Sequence, residues 1–300
     1  MEKITGGLSN EVFKYKDLIF KFYNYSLLEL DYSFEEFVQK KLHEKFANVP
    51  EICQSICIDN KLIGRVEKFI KSTTVSKEHF ISEFKIYANI LNNIHSTNID
   101  DYKEKVPKFL LYLNNWTQIL DNQINVTKLN FPQLKLDHNK IKEKADEYIT
   151  SLLLYTSYMQ LEMKLCHNDF QQLNVLVDST NKFYVIDFEY ASLNYIYYDI
   201  ANYFAECALD NTELRYYPHL YPNKEKRCQF YKEYFNNLYP NNYYEQFDNL
   251  VLNFCPLVEY IWYVWAMIKL ISTNSIDYLT YAKIRYKNFF ESLGKLNISI

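Results

Sequence analysis

His167-Asn168-Asp169-Phe170-Gln171-Gln172-Leu173-Asn174, followed by Asp187-Phe188-Glu189 thirteen residues beyond Asn174, is the stretch on which the reading of this chain turns. Asp169 is a carboxylate able to orient a hydroxyl nucleophile and take up its proton. Asn174 and Asp187 supply an amide oxygen and a carboxylate, hard donors of the kind Mg²⁺ accepts while keeping several of its waters. Two short apolar runs, Val175-Leu176-Val177 and Phe183-Tyr184-Val185-Ile186, flank the turn Asp178-Ser179-Thr180-Asn181. They predict a β-hairpin that folds Asp187 back beside Asn174.

The spacing His-x-Asp-x-x-x-x-Asn with a later Asp is that of a kinase catalytic loop, which requires a phosphate cover, a lysine and a partner for that lysine. The chain supplies them in order. Gly6-Gly7-Leu8-Ser9-Asn10 lies between the expected strands Ile4 and Glu11–Tyr15, where the backbone N–H groups of Gly6, Gly7, Ser9 and Asn10 would face phosphate oxygens. Lys21, on a third expected strand over residues 18–23, is placed to reach the phosphates. Residues 31–46 carry Phe34, Phe37, Val38, Leu42 and Phe46 at helical spacing. Glu36 on that helix is the expected partner of Lys21, with Glu35 as the adjacent alternative. A hairpin over residues 52–58 and 63–70 turns at Asp59-Asn60-Lys61 and ends in Glu67-Lys68-Phe69-Ile70, whose Lys68, Phe69 and Ile70 would form the hinge against adenine.

Beyond residue 76 the pattern is helical, at 77–94 and again at 137–161, and it returns to helix from Tyr198 after the catalytic hairpin. The expected fold class is therefore α+β and protein-kinase-like, with a small β-rich nucleotide-binding lobe over residues 1–72. A large, mainly helical lobe over 73–300 would carry catalysis and substrate. Of the 300 residues, 48% are hydrophobic and 23% charged, too apolar for a disordered chain. Glycine occurs only at 6, 7, 64 and 294, which excludes both GxGxxG and the Walker loop. The net charge is −4 and arginine occurs only at 65, 215, 227 and 285, so no nucleic-acid partner is expected.

The N-terminal residues lack the apolar core of a signal peptide, and the run from Phe254 to Ile268, interrupted by Glu259, reads as too short to span a bilayer. The six cysteines lack metal-ribbon spacing and read as free thiols, so a cytoplasmic protein without a transmembrane segment is expected.

Four further segments extend the pattern. Gly-Arg-Val-Glu-Lys-Phe-Ile (64–70), Asn-Tyr-Ile-Tyr-Tyr-Asp-Ile-Ala-Asn-Tyr-Phe-Ala-Glu-Cys (194–207), Trp262-Tyr263-Val264-Trp265 and Ile276-Asp277-Tyr278-Leu279-Thr280-Tyr281-Ala282 occur in that order. With the glycine turn and the catalytic loop, they resemble the choline/ethanolamine kinases from about residue 5 to 290. The 187–207 block is the most specific part, since general protein kinases lack it.

The resemblance implies ATP and Mg²⁺ as cofactors and phosphorylation of choline or ethanolamine. It implies Asp169 as catalytic base, Asn174 and Asp187 as metal ligands and Gln171 as a nucleotide contact. Tyr190, Glu206, Trp262, Trp265 and Tyr281 match positions lining the amino-alcohol pocket. A quaternary ammonium donates no hydrogen bond and is held by aromatic faces and a nearby carboxylate, which those residue types supply. Leu173, Lys68, Thr74, Asn211 and Lys269 depart from the family pattern without removing a catalytic group. The sequence leaves the oligomeric state open, a homodimer included. An aminoglycoside-type phosphotransferase shares the catalytic loop, but its pocket would be lined by carboxylates. A catalytically dead binding scaffold conflicts with intact Asp169, Asn174 and Asp187.

Overall fold

The computed structural model describes residues 1–4, 10–24, 28–100, 108–131 and 133–296. Gly6, Gly7 and Ser9, read above as the phosphate cover, lie outside the described residues. The chain begins with β1 (Glu2–Ile4), β2 (Glu11–Tyr15) and β3 (Leu18–Phe22), then α1 (Tyr32–Phe46), β4 (Ile52–Ile58) and β5 (Lys61–Lys68). The strands form one antiparallel sheet in the order β1-β2-β3-β5-β4. The β4–β5 hairpin closes through Asp59 and Asn60, both at positive φ (48° and 63°). Ile58 pairs with Lys61. That is the two-residue turn whose twist suits a hairpin, and it starts β5 two residues earlier than the apolar pattern suggests.

Gly64 pairs with Phe22 across β3 and β5. A Cβ at this position would lie 2.5 Å from the Lys21 carbonyl oxygen, so only glycine lets β5 approach the strand that carries the lysine. α1 starts where the Asp31 carboxylate accepts from the Phe34 N–H at 3.0 Å. It ends in the left-handed residue Ala47 (φ 49°).

After β5 come β6 (Ser72–Thr74), α2 (Lys77–Ser82), α3 (Phe84–His95), α4 (Lys108–Asn130) and α5 (His138–Tyr158). The single helix expected over 77–94 is broken at Glu83 (φ −92°, ψ 54°), which leaves helical dihedrals between α2 and α3. The catalytic region is built from β7 (Met163–Cys166), β8 (Val175–Asp178), β9 (Phe183–Val185) and β10 (Ser192–Tyr195). β8 and β9 are the expected hairpin, and β6 joins them in a three-stranded sheet; β7 pairs with β10. The segment between Lys68 and Ser72 joins the five-stranded sheet and α1 to the rest of the molecule along the chain, and the Val185 N–H donates to the Asn48 carbonyl at 3.0 Å. Side chains add further ties, among them Lys45 Nζ to the Ser96 carbonyl and Lys182 Nζ to the Ala47 carbonyl, both at 2.8 Å.

α6 (Ile196–Ala208), β11 (Leu209–Asp210), β12 (Arg215–Tyr216), α7 (Lys224–Tyr234), α8 (Asn241–Thr273) and α9 (Ile276–Leu293) complete the fold. Phe230 and Phe247 bring α7 and α8 onto α6, with Tyr203–Phe230 centroids 5.2 Å apart and Tyr231–Phe247 5.0 Å apart. Many of the abundant aromatics are thereby placed in the core. The apolar run that read as too short to span a bilayer belongs to the 33-residue α8, which is long and apolar enough to do so. However, 89% of its most apolar stretch is buried inside the fold, as in the core helix of a globular lobe.

Candidate active site

The catalytic loop leaves β7 at His167 and is pinned by its backbone. The Asp199 carboxylate, on α6, accepts from the His167 N–H and the Asn168 N–H, both at 2.8 Å. His95 Nε2 on α3 sits 3.0 Å from the same carboxylate. Asn168 adopts φ 65°. Its side chain donates to the Tyr190 carbonyl (2.8 Å) and Ser192 Oγ (2.9 Å) and accepts from Asn194 (2.8 Å), which over-determines that left-handed conformation. Burial disfavours the charged form of His167 and lowers its pKa. As a neutral ring it donates through Nε2 to the Ile186 carbonyl (3.1 Å) and accepts from the Asp169 N–H at Nδ1 (3.3 Å).

Asp169 emerges from this scaffold 8% exposed. Its carboxylate accepts from Gln171 Nε2 at 3.1 and 3.2 Å and from Asn174 Nδ2 at 3.0 Å. Burial first, and then repulsion from Glu206, push its pKa well above the ordinary carboxylate range, against the donation from Gln171. The group thus holds a proton far more readily than a surface aspartate, which suits an acceptor of a hydroxyl proton. Asn174 spends its NH₂ on Asp169 and keeps its amide oxygen for another partner.

Asn10, Lys21, Lys68, Phe69, Ile70, Asn174 and Asp187 line one cleft of about 580 Å³ between the five-stranded sheet and the catalytic hairpin. Lys21 Nζ bridges Asp187 (2.7 Å) and Glu35 (2.9 Å). Burial disfavours the Lys21 charge, yet those two carboxylates outweigh it and raise its pKa. The expected pairing with Glu36 is thereby corrected to Glu35. On α1, Glu35 and Gln39 are four residues apart and share the face over β5, where both accept from Arg65 (2.8 and 2.9 Å). Glu36 is turned one residue around the helix, toward Tyr23 (2.9 Å) and Ser55 (2.5 Å), and does not reach Lys21. Gln171 is displaced too. It is not among the residues lining the 580 Å³ cleft; its side chain lies between Asp169 and Asn211, the latter donating to Oε1 at 2.7 Å.

Glu206, Tyr190, Trp262, Trp265 and Tyr281 come together on the other side of Asp169. Trp265 Nε1 donates to the Tyr190 hydroxyl and Trp262 Nε1 to Asn202, each at 2.8 Å. The ring centroids of Trp262 and Trp265 lie 5.7 Å apart at 82°, and those of Trp265 and Tyr281 5.9 Å apart. Glu206 follows Asp199 by seven residues on α6, so one helix face braces the loop at one end and charges the pocket at the other. Arg285 on α9 donates to Glu206, to Glu259 (3.2 Å) and to the Tyr281 hydroxyl (2.7 Å).

Arg65 and Arg285 are the functional neighbours missed in the sequence, both 1% exposed. For Arg65 the signal was available: in a chain with four arginines, one inside the 64–70 segment deserves weight, because guanidinium is suited to holding several buried carboxylates at once; Arg285 lies three residues beyond the 276–282 segment and carried no such mark. Asn211, read in the sequence only as a departure from the family pattern, contacts Gln171 and Glu206, and Asn10, which donates to Glu189 at 3.0 Å, connects the end of the glycine turn to the segment after Asp187.

The sequence model for choline/ethanolamine kinases matches residues 1–290. Among individual proteins, the chain is 27% identical over 253 residues to probable choline kinase 3 of Arabidopsis thaliana, covering 78% of this chain and 67% of that protein. It is 28% identical over 240 residues to human ethanolamine kinase 2, covering 76% of this chain and 58% of that protein. The chain thus spans little more than half to two thirds of the length of these curated relatives. The solved structure of Plasmodium vivax ethanolamine kinase shares the fold at a TM-score of 0.78 with 18% identity, covering 96% of this chain and 81% of that one. A match over nearly the whole chain, on the same fold and in the same motif order, places this protein in the choline/ethanolamine kinase family.

Proposed function

We propose that the chain transfers the γ-phosphoryl group of ATP to the hydroxyl of choline and/or ethanolamine, the first step of phospholipid head-group synthesis by that route. The observation that carries the reading is the position of Asp169. It sits between a cleft lined by Lys21, Asn174 and Asp187 and a buried cluster of Glu206 and aromatic rings. In that position it takes the proton of a hydroxyl whose cationic tail rests among Tyr190, Trp262, Trp265 and Tyr281. The aromatic lining favours one small ammonium over the several of an aminoglycoside. A cytoplasmic location, a division into lobes near residue 72 and a homodimeric assembly belong to the same proposal. The test is ATP consumption with choline, ethanolamine and kanamycin in turn. Turnover with an amino alcohol and none with kanamycin is expected; turnover with kanamycin alone, or with none of the three, overturns the reading.

The donor set fits magnesium. Asp187 carries a partly exposed carboxylate, and Asn174 is oriented with its amide oxygen unspent. Bound there, the ion would neutralise charge on the phosphates. Asp187→Ala is expected to weaken Mg²⁺·ADP binding, followed by calorimetry, more than Asn174→Ala, because a charged carboxylate is the stronger hard ligand. Wild-type magnesium dependence in both variants would misplace the metal site.

A further inference from the structure

We propose that Asn211 makes this site selective for a primary ammonium over a quaternary one, an inference that rests on the amino-alcohol reading above. Asn211 lies at the turn between β11 and β12, half-buried beside the pocket. Its Nδ2 donates to Gln171 Oε1 at 2.7 Å and to Glu206 Oε2 at 2.8 Å. Both amide hydrogens are then spent, which fixes the orientation of the side chain. Its Oδ1 accepts no hydrogen bond among the described residues and is the acceptor that Asn211 has left to offer a ligand.

Glu206 has one donor on each oxygen, Asn211 on one and the buried Arg285 on the other, and the guanidinium offsets part of its charge. It supplies the remaining negative field and its spare lone pairs, and the Asn211 Oδ1 adds a neutral acceptor beside it. A primary ammonium brings three N–H donors that need acceptors once desolvated; a trimethylammonium brings none. The same amide sets the catalytic base. With Oε1 of Gln171 held by Asn211, Nε2 must point at Asp169, where it donates to both carboxylate oxygens. The head-group contact and the orientation of the base thereby share one side chain.

The aromatic surfaces point the same way. Quaternary ammonium recognition relies on ring faces, and two rings of this pocket already carry cations of the protein. Lys269 Nζ lies 5.6 Å from the centroid of Trp265, and the Arg285 guanidinium 4.9 Å from that of Tyr281. A pocket with its rings partly taken by its own cations and an amide oxygen unspent suits a ligand held by hydrogen bonds.

The experiment measures kcat/KM for ethanolamine, N-methylethanolamine, N,N-dimethylethanolamine and choline, with KM for ATP and the melting temperature, in the wild type and in Asn211→Leu. In the wild type, kcat/KM is expected to fall stepwise with methylation. In Asn211→Leu the ethanolamine value should fall roughly tenfold or more. Choline should fall too, because Gln171 loses the partner that aims it at Asp169, but by a smaller factor, so that the ethanolamine-to-choline ratio drops, while the ATP KM changes less than about threefold. The series is thereby flattened. A wild type that uses choline as well as ethanolamine, or a folded Asn211→Leu with an unchanged ethanolamine-to-choline ratio, overturns the inference while leaving the amino-alcohol reading intact. A wild type inactive on the whole series overturns both. If Asn211→Leu does not fold, the wild-type series decides alone.

Discussion

Asp169→Asn is expected to lower kcat by about 10²–10⁴-fold, the usual cost of removing a general base, with the fold intact. The amide has the size of the carboxylate but cannot take up the hydroxyl proton. Two opposing effects keep stability near the wild-type value. The new NH₂ meets the donors Gln171 Nε2 and Asn174 Nδ2, which is unfavourable. Against that, a buried charge repelled by Glu206 is gone. Steady-state kinetics with ethanolamine and choline, alongside a thermal melt, check both halves. Near-normal turnover would remove Asp169 from the chemistry, and a collapsed melt would make it a structural residue.

The second large effect is on folding. Arg65 is 1% exposed and donates to Glu35 (2.8 Å), Gln39 (2.9 Å), the Tyr23 hydroxyl (3.0 Å) and Glu67. Burial alone would push the Glu35 carboxyl up, but Arg65 and Lys21 together hold it at about 2, below its ordinary 4.5. Arg65→Leu leaves Glu35 with Lys21 as its one cation and Glu67 without its guanidinium. Breaking one side of a buried ion pair costs about 3–5 kcal/mol, so a large drop in urea midpoint is expected. The double variant Arg65→Leu/Glu35→Gln should recover part of it, since the orphaned charge is then absent. A loss under about 1 kcal/mol, the range of exposed pairs, would mean that the network is solvated rather than buried. Because Glu35 is depressed, its contribution is fully present above pH 4.5 and is lost as pH falls through about 2.

How far these features could be read from the chain depends on the range of the interaction that sets them. The hairpin over 175–185 and the core-facing stripe of α1 follow from local periodicity, and both are present. The breaks were less legible: Glu83 interrupts an unbroken helical pattern, and the two-residue turn at Asp59-Asn60 shifts the start of β5. Short strands such as β6 and β10 carry no periodic signal, because three or four residues hold too few alternations. Glu35 and Glu36 are equivalent in sequence, and what separates them is the buried arginine on another strand. Gln171 was read through its motif position as a nucleotide contact, whereas its place is set by Asn211, forty residues away. A partner at that distance leaves no mark on the local pattern.

The ties between the five-stranded sheet and the rest of the molecule differ in kind. Apart from the covalent link through Phe69-Ile70-Lys71, the Val185 N–H meets the Asn48 carbonyl, a backbone contact that no ligand can take over by trading side-chain partners. Across the cleft the ties are side chains, Lys21 on Asp187 and Asn10 on Glu189. A phosphate entering the cleft competes with Asp187 for the Lys21 ammonium, and a cation competes with Lys21 for the Asp187 carboxylate. Filling the cleft and exchanging this ion pair are therefore one event, while the backbone contact is indifferent to it.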